Sequence, residues 1–294
     1  MDESSATLRL RIRRFLAKPA KDKLESVTFR LRKLLPNGST TISLPFGAQW
    51  DLGDSALDSQ LRSGAFENAE TAFVMRFLRQ GKTVLDVGAH HGFYTLLASL
   101  RVGPTGKIIA FEPSPRERKR LERHTKMNNC KNVRIEPFAV GASHGHGTLF
   151  LVEGAEDYCN SLRPPAAEVE TRTVDVEVIS LDELLPRAAV QIVDFIKLDV
   201  EGAELGVLQG ARRLLQAQPR PVLLVEVYDI RTKPWGYQAR EIVQFLDRLG
   251  YQWFRLRENG VPEAVAPDCD AYDTNLVAIP NERVSQVLQD LGER

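Results

Sequence analysis

Short apolar runs along the chain alternate with segments whose apolar residues recur every three or four positions. The clearest run, Thr83–Val87, has the β-branched and apolar residues of a strand that is buried on both faces. Gly88 and Gly92 interrupt this run, and residues 93–100 then have the apolar spacing of a helix that packs one face on a sheet. A strand, a tight loop and a helix in this order are typical of the first half of a nucleotide-binding βαβ unit.

The same alternation predicts one large α/β domain over residues 61–294. Further core strands are predicted at 107–111, 133–136, 193–199, 221–228, 251–256 and 275–279, and helices at 66–78, 116–127, about 203–215, 238–249 and from about 281 onward. Strict alternation between about 147 and 182, with Val174, Val176 and Val178 on one face, predicts an inserted β-hairpin. A shorter alternating stretch between 40 and 60 is compatible with a second hairpin.

Residues 1–60 differ from this domain and are predicted to form a basic amphipathic appendage. The first 35 residues contain ten Lys and Arg against four Asp and Glu, and their apolar residues have helical spacing. Two short amphipathic helices are therefore expected, followed by a turn at 36–39. Such helices commonly cover a domain core, form a lid or make a dimer contact, and contact with an anionic membrane surface is the alternative.

Charge and cysteine content narrow the class of protein. Lys+Arg and Asp+Glu both total 39 among 294 residues, so the net charge gives no sign of a nucleic-acid partner. Cys130, Cys159 and Cys269 show no paired spacing, which is typical of a reducing compartment without disulfides or a zinc site. Because no apolar run reaches membrane-spanning length and the start of the chain has no signal-peptide core, we expect a cytoplasmic protein.

The loop from Gly88 to Gly92 and the end of the second strand indicate which nucleotide is bound. A ligand that lies across the end of a parallel strand approaches backbone atoms closely, and glycines permit this approach. The loop lacks the full G-x-G-x-x-G of dinucleotide binders and the Gly-Lys-Ser/Thr of a P-loop, which argues against a pyrophosphate. Glu112, followed by Pro113, ends the second strand and could accept hydrogen bonds from both hydroxyls of a ribose. Adenosine without a diphosphate suggests S-adenosylmethionine.

Several separate motifs make the chain similar to the FkbM family of S-adenosylmethionine-dependent methyltransferases. They occur in the family's order over about residues 60–280, and they are Phe66-Glu67, 84–89 (VLDVGA) with Gly92, 111–113 (FEP), 139–141 (AVG), Leu181-Asp182 and 194–204 (DFIKLDVEGAE). One departure is that the family usually has Asn and an aliphatic residue where this chain has His90 and His91. The departure lies in the loop that would bind the cofactor.

The resemblance implies an α/β fold of the Rossmann-like class I methyltransferase type, with a seven-stranded, mostly parallel sheet whose last strand is antiparallel. It also implies that residues 61–294 are the methyltransferase domain, with the β insertion at about 147–182. The implied reaction is methyl transfer from S-adenosylmethionine to a hydroxyl of a sugar or another small metabolite. A nicotinamide-dependent oxidoreductase and a non-catalytic nucleotide-binding or membrane-surface module are the alternatives.

The cofactor site is predicted at the glycine loop and the neighbouring strand ends. Glu112 is expected to hold the ribose, Asp86 to lie near the methionine ammonium group, and Ala139 to line the adenine. The resemblance places Glu67, at the start of a helix, beside the mouth of the cofactor site. The predicted cofactor-binding residues are Glu67, Asp86, Gly88, Ala89, His90, Gly92, Glu112, Pro113, Ala139 and Asp199.

Asp199 is the first candidate for the general base, because it ends a core strand at the same sheet edge as Asp86 and Glu112. Glu201 and His91 are the competing candidates, although Glu201 could equally begin the next helix as an N-terminal carboxylate. No metal site is predicted. The alternative is a divalent cation held by Asp199, a second carboxylate and a histidine.

Two loops carry further expectations. His144 and His146 lie two positions apart without a clear third ligand nearby, so a polar loop is expected there rather than a metal site. The segment 153–165 is expected to contribute to acceptor specificity, since loops over sites of this kind commonly do so. Its polar candidates are Asp157, Tyr158, Asn160 and Ser161.

Overall fold

A computed structural model of the chain describes residues 41–53, 55–152, 159–165, 170–266 and 271–292. The predicted amphipathic helices of residues 1–35 and the turn at 36–39 lie outside these ranges, as does Cys269. Among the helices within these ranges, none combines the length and the apolar composition needed to cross a bilayer.

The strands of the described ranges form three sheets. In chain order the strands are β1 (Thr41–Ser43), β2 (Gln49–Asp51), β3 (Thr83–Val87), β4 (Lys107–Phe111), β5 (Val133–Glu136), β6 (Ala139–Val140), β7 (Gly145–Val152), β8 (Thr171–Ile179), β9 (Phe195–Leu198), β10 (Val222–Tyr228), β11 (Tyr251–Leu256), β12 (Pro262–Ala264) and β13 (Asp273–Pro280). The largest sheet has eight strands in the order β12-β11-β13-β10-β9-β3-β4-β5. β5, β4, β3, β9 and β10 run parallel, whereas β13 is antiparallel to its neighbours β10 and β11.

This topology confirms the predicted mostly parallel sheet with an antiparallel last strand. The seven predicted core strands are all present, with bounds that differ from the predicted ones by no more than two residues. β12 is an eighth strand at one edge, where it pairs antiparallel with β11. The sequence pattern did not indicate β12, because its three residues, Pro262 to Ala264, have low β-propensity and show no apolar alternation.

Helices cover both faces of the large sheet. They are α1 (Ala56–Ser63), α2 (Asn68–Phe77), α3 (Phe93–Val102), α4 (Pro115–Met127), α5 (Leu181–Arg187), α6 (Glu204–Gln209), α7 (Arg212–Gln216), α8 (Asp229–Thr232), α9 (Arg240–Arg248) and α10 (Val284–Gly292), with 3₁₀ helices at Lys233–Trp235 and Asn281–Arg283. The helix predicted at about 203–215 is two helices, α6 and α7. α1 was not predicted, although Ser55 and Asp58 form a capping box at its start, which is a helix signal in the sequence.

The core consists mainly of two apolar clusters, one on each face of the large sheet. Successive residues of β3 point to alternate faces, so Leu85 and Val87 pack in one cluster and Val84 packs in the other. Asp86 shares the face of Val84, which α3 covers, and its carboxylate accepts a hydrogen bond from the hydroxyl of Thr95 in α3. The strand pattern thus fixes the side of the sheet on which this carboxylate lies.

The hairpin of β1 and β2 packs into the same core. Trp50 of β2 is fully buried, its ring stacks on the ring of His124 at 3.9 Å, and its indole N–H donates to Asp58 at 2.9 Å. His124 belongs to α4 and Asp58 to α1, so the hairpin, α1 and α4 form one packed unit. The predicted domain boundary at residue 60 therefore falls inside a packed body.

A small second sheet, in the order β6-β8-β7, contains the predicted β insertion. β7 and β8 pair antiparallel from Gly145 with Val178 to Val152 with Thr171, as expected for a hairpin. β6 adds a third strand parallel to β8 and leads from the large sheet into the insertion.

Candidate active site

A cavity of about 390 Å³ lies at the carboxyl ends of β3, β4, β9 and β10. This edge of a doubly wound sheet is where ligands of α/β proteins bind, because the loops that follow the strands diverge there. The predicted site residues that line the cavity are Glu67, Asp86, Gly88, Ala89, His90, Glu112, Pro113, Ala139, Asp199 and Glu201. Gly92 and His91 are the two predicted site residues that do not line it.

The two glycines of the loop are required by the protein's own packing. Gly88 has a φ of +88°, and a Cβ atom added there would lie 1.7 Å from the carbonyl oxygen of Asp199. Gly92 has a φ of +94°, and its Cβ would lie 2.5 Å from a methyl group of Leu121 in α4. The expectation that Gly92 lets a ligand approach is therefore corrected. Its lack of a side chain lets α4 pack on the loop, whereas Gly88 both lines the cavity and permits close contact of the chain after β9.

Glu112 bridges the end of β4 and the glycine loop. Its carboxylate accepts the backbone N–H of His90 at 2.7 Å and that of Ser114 at 2.8 Å, one on each oxygen. Burial raises the pKa of Glu112 to about 8, against the opposing effect of these two N–H donors. Each oxygen keeps a lone pair for a further donor. The group is thus fixed in orientation, and in its ionised form it can accept two hydrogen bonds from a ligand in the cavity.

Lys197 belongs to a buried network of polar side chains with Asp199, Tyr94 and Glu67. Its Nζ lies 2.9 Å from Oδ2 of Asp199 and 5.2 Å from the centre of the Tyr94 ring, and the Tyr94 hydroxyl donates to Glu67. Burial alone would lower the pKa of Lys197, but the carboxylates of Asp199 and Glu67 raise it above its usual range. Burial raises the pKa of Glu67, against the effect of Lys197. The ammonium group therefore stays charged on the cavity floor.

Glu201 and Glu226 stand beside Asp199 on the cavity wall. Glu201 has a left-handed φ of +54°, and its Oε2 lies 2.9 Å from Nε of Arg231. Burial raises the pKa of Glu201 to about 8, although Arg231 opposes the shift. Burial and the charges of Asp199 and Glu201 raise the pKa of Glu226 well above its usual value. Glu201 thus belongs to the cavity wall, and it precedes α6 instead of starting it.

His91 was predicted as a candidate base, and its position argues against that role. Its ring is buried away from the cavity, with Nδ1 3.1 Å from a guanidinium nitrogen of Arg120. Burial and the neighbouring cationic groups hold the pKa of His91 far below its usual range. His90 does line the cavity, and burial lowers its pKa to about 4. His90, His91 and Glu117 also lie within 4.8 Å of one another, but Arg116 and Arg120 already contact two of the three.

The predicted acceptor loop is described in part. Asn160 and Ser161 line the cavity, whereas Asp157 and Tyr158 lie outside the described residues. Of the two histidines in the other loop, His144 lies at the surface with Nε2 3.1 Å from a carboxylate oxygen of Glu177, which fits a polar loop.

Sequence reasoning missed several polar residues that line the cavity, namely Tyr94, Lys197, Glu226, Tyr228 and Arg231. The sequence did contain features that could have identified two of them, Lys197 and Glu226. Lys197 interrupts an otherwise apolar strand, and Glu226 lies near the carboxyl end of β10, in the strand next to the one that precedes Asp199. The argument that placed Asp199 at this edge applies equally to Glu226.

Comparisons with known proteins identify relatives of this chain. A family model described as the methyltransferase FkbM domain matches residues 86–253. Methyltransferase 1 of Beauveria bassiana is 30% identical over an alignment of 147 positions, which covers 43% of this chain and 57% of that protein. Hexuronic acid methyltransferase AglP of Haloferax volcanii is 29% identical over 132 residues, 45% of this chain and 51% of that protein. The 2-O-methyltransferase NoeI of Sinorhizobium fredii is 25% identical over an alignment of 144 positions, which covers 45% of this chain and 58% of that protein. The chain thus matches somewhat more than half the length of each.

Proposed function

The chain belongs to the FkbM methyltransferase family, and from this premise we propose that it transfers the methyl group of S-adenosylmethionine to a hydroxyl oxygen of a small molecule. The observation that carries the proposal is the carboxylate of Glu112, which two backbone N–H groups hold at the edge of the cavity beside the glycine loop. A carboxylate fixed in this way suits the two hydroxyls of a ribose.

The rest of the cavity also fits this cofactor. Its volume of about 390 Å³ lies in the range of small-molecule sites. An apolar wall for an adenine is supplied by β6, which consists of Ala139 and Val140, together with the preceding Phe138. Asp86 and Glu67 also line the cavity and supply carboxylates for a cationic ligand group. S-adenosylmethionine carries both an ammonium and a sulfonium charge, so an acidic cavity suits it.

The acceptor that we propose is a hydroxyl compound such as a sugar. One relative is named as a hexuronic acid methyltransferase, and a hexuronic acid is a sugar acid. Another is named as a 2-O-methyltransferase, a name that specifies methylation of an oxygen. In this chain the wall beyond the cofactor region carries Asp199, Glu201 and Glu226. Hydroxyl groups can donate hydrogen bonds to these carboxylates, which is why a hydroxyl acceptor suits this wall.

When bound, the cofactor supplies a methyl group on a positively charged sulfur, which is a good leaving group. The protein then has to align the acceptor with that methyl group and remove the hydroxyl proton. Asp199 remains our first candidate for the base, because its carboxylate lines the cavity and Lys197 holds it in position. Glu201 is the second candidate, and Arg231 holds its carboxylate.

The test is a side-by-side calorimetric titration of the full chain with S-adenosylhomocysteine and with NAD. We expect saturable binding of S-adenosylhomocysteine alone. Transfer of a labelled methyl group to a panel of neutral sugars, uronic acids and non-sugar alcohols then identifies the acceptor class. Saturable binding of NAD, without any response to S-adenosylhomocysteine, would overturn the proposal in favour of an oxidoreductase.

A further inference from the structure

The cavity wall at the ends of β9 and β10 brings three carboxylates together. Asp199 follows β9, Glu201 comes two residues later, and Glu226 lies in the parallel neighbour β10. One oxygen of each carboxylate lies within 4.8 Å of an oxygen of each of the other two. Oxygen ligands of one divalent cation lie no more than about 4–5 Å apart, because each is about 2.0–2.6 Å from the ion. The spacing of the three oxygens therefore matches a cation site.

The side chains around this group leave Glu226 without a hydrogen-bond partner. Lys197 contacts Oδ2 of Asp199 and Arg231 contacts Oε2 of Glu201, each at 2.9 Å. Oε2 of Glu226, like Oε2 of Glu201, is shielded from solvent and accepts no hydrogen bond from any residue that the structure describes, and Glu201 has the cationic neighbour Arg231. A buried carboxylate oxygen without a donor is costly, so proteins normally supply a donor, a proton or a metal ion. Glu226 therefore brings a buried oxygen without a donor to the group of three carboxylates.

We propose that Asp199, Glu201 and Glu226 bind one divalent cation that prefers oxygen ligands, of the class of Mg²⁺, Mn²⁺ or Ca²⁺. All three donors are carboxylates, which suit these hard cations better than zinc or copper. The ion pairs with Lys197 and Arg231 use one oxygen of Asp199 and one of Glu201, so each of these carboxylates has a second oxygen. The open cavity leaves the remaining coordination positions to water or to an oxygen of a bound molecule.

The role of the cation rests on the proposed function. A cation at this wall binds the acceptor hydroxyl, orients its oxygen and lowers the pKa of its O–H group. The O–H bond breaks and its proton passes to water or to a carboxylate of the wall. The oxygen forms a bond to the methyl carbon while the carbon–sulfur bond breaks, and sulfur keeps that electron pair as S-adenosylhomocysteine. Asp199 then serves as a ligand as well as a candidate base.

The experiment titrates the full chain with Mn²⁺ alone and follows the electron paramagnetic resonance signal of the free ion, which is lost on binding. We expect one Mn²⁺ per chain, displaced by Mg²⁺ or Ca²⁺, at concentrations up to about 1 mM. Glu226→Gln keeps the size of the side chain and is expected to weaken Mn²⁺ binding by at least about tenfold, since it removes one charged ligand of three. Glu201→Gln is the second variant in case Glu226→Gln does not fold, and circular dichroism reports the fold of each.

The matched control is Glu177→Gln, which changes an exposed carboxylate on the inserted sheet and is expected to bind Mn²⁺ like the wild type. The proposal is overturned if the wild type binds no Mn²⁺ in this range, or if Glu226→Gln and Glu201→Gln bind it unchanged. The measurement needs neither cofactor nor acceptor. Mn²⁺ binding in a protein that ignores S-adenosylhomocysteine would therefore keep the cation site and reject the proposed function, and methyl transfer without Mn²⁺ binding would do the reverse.

Discussion

The ammonium nitrogen of Lys197 lies 2.9 Å from a carboxylate oxygen of Asp199, and the two side chains differ sharply in exposure. Lys197 is 2% exposed, whereas the Asp199 side chain is 29% exposed and faces the cavity. The buried partner thus holds the accessible one in a fixed position. An ion pair of this kind stabilises the fold and orients a functional group at the same time.

Replacement of the buried lysine should destabilise the protein. Lys197→Met removes the cation that neutralises Asp199 and Glu67, so these carboxylates are left close together in a buried site. We expect the free energy of unfolding to fall by about 3–5 kcal/mol, which is typical when one partner of a buried pair is removed. Urea unfolding followed by circular dichroism measures it.

The control for this variant is Lys82→Met. Lys82 and Asp194 form an ion pair of nearly equal length, 2.8 Å, but Lys82 is 42% exposed. Solvent screens such a pair, so the expected loss is about 0–1 kcal/mol. Equal losses in the two variants would contradict the view that burial makes the Lys197 pair important.

Removal of the Glu112 carboxylate should weaken cofactor binding. Loss of two hydrogen bonds to a charged acceptor costs about 2–4 kcal/mol, so Glu112→Ala should bind S-adenosylhomocysteine about 30-fold to 1,000-fold more weakly. Glu136→Ala is the control, since Glu136 is also buried and ends the next strand, β5, but does not line the cavity. A change of less than about threefold in Glu112→Ala would remove Glu112 from the binding site.

Glu112 should also make the stability of the ligand-free protein depend on pH. Burial raises its pKa to about 8 from a usual value of 4.5, so the folded state binds a proton that the unfolded state has released. Its contribution to stability is therefore complete below pH 4.5 and is lost as the pH rises through about 8. The melting temperature should fall between about pH 4.5 and pH 8, and should fall less in Glu112→Gln.

Burial also raises the pKa of Asp86 to about 6 and that of Glu204 to about 7. Both groups therefore lower the stability as the pH rises, as Glu112 does, so part of the fall in melting temperature should persist in Glu112→Gln. Glu263→Gln is the control, because Glu263 is fully exposed and its pKa is lowered by Arg257. That variant should follow the wild type over the whole range. A melting curve of Glu112→Gln with the full wild-type slope would show that Glu112 is ionised in the folded protein throughout.

Gly88 and Gly47 allow backbone strain to be separated from steric contact. Both have φ near +90°, but a Cβ at Gly47 would have no atom within 4 Å, whereas one at Gly88 would overlap the Asp199 carbonyl. Gly47→Ala should cost about 1–2 kcal/mol in unfolding free energy from the left-handed conformation alone. Gly88→Ala should cost about 3–5 kcal/mol, because the chain after β9 must also move. Equal costs would mean that the contact relaxes freely.

The sequence alone was sufficient to predict the sheet edge at which the cavity lies. Asp86, Glu112 and Asp199 each stand at the end of an apolar run, and parallel strands bring their carboxyl ends to one edge. It was not sufficient to decide which of two adjacent histidines faces the cavity. His90, which has a left-handed φ of +49°, lines the cavity, whereas His91 does not.

The sequence also could not reveal contacts between residues that lie far apart along the chain. Lys197 is separated by 130 positions from Glu67, and no local pattern indicates that the two share a buried charge network. Arg231 reaches Glu201 from a short helix that follows the next strand. Contacts of this kind depend on how strands and helices pack, so spacing along the chain cannot reveal them.

The general base should be identified by single-turnover methyl transfer at saturating cofactor, with Asp199→Asn, Glu201→Gln and His91→Ala compared with the wild type. We expect the rate to fall by about 10²-fold to 10⁴-fold in Asp199→Asn, which keeps the shape of the side chain but not its basicity. His91→Ala should keep a near-normal rate, because its ring faces Arg120 and not the cavity, although the variant should be less stable.

The result for Glu201→Gln separates two roles. A base acts on the proton directly, so its loss should lower the rate and remove the rise of the rate with pH, whereas a residue that only positions the acceptor should lower the rate at every pH equally. Each variant is measured with and without a chelator, because a carboxylate that acts through a bound cation makes the wild-type rate fall when the cation is removed. If Asp199→Asn keeps near-normal turnover and only cofactor affinity falls, Asp199 is a binding residue. The hydroxyl proton must then leave by another route, and Glu201 is the next candidate because it lines the same cavity.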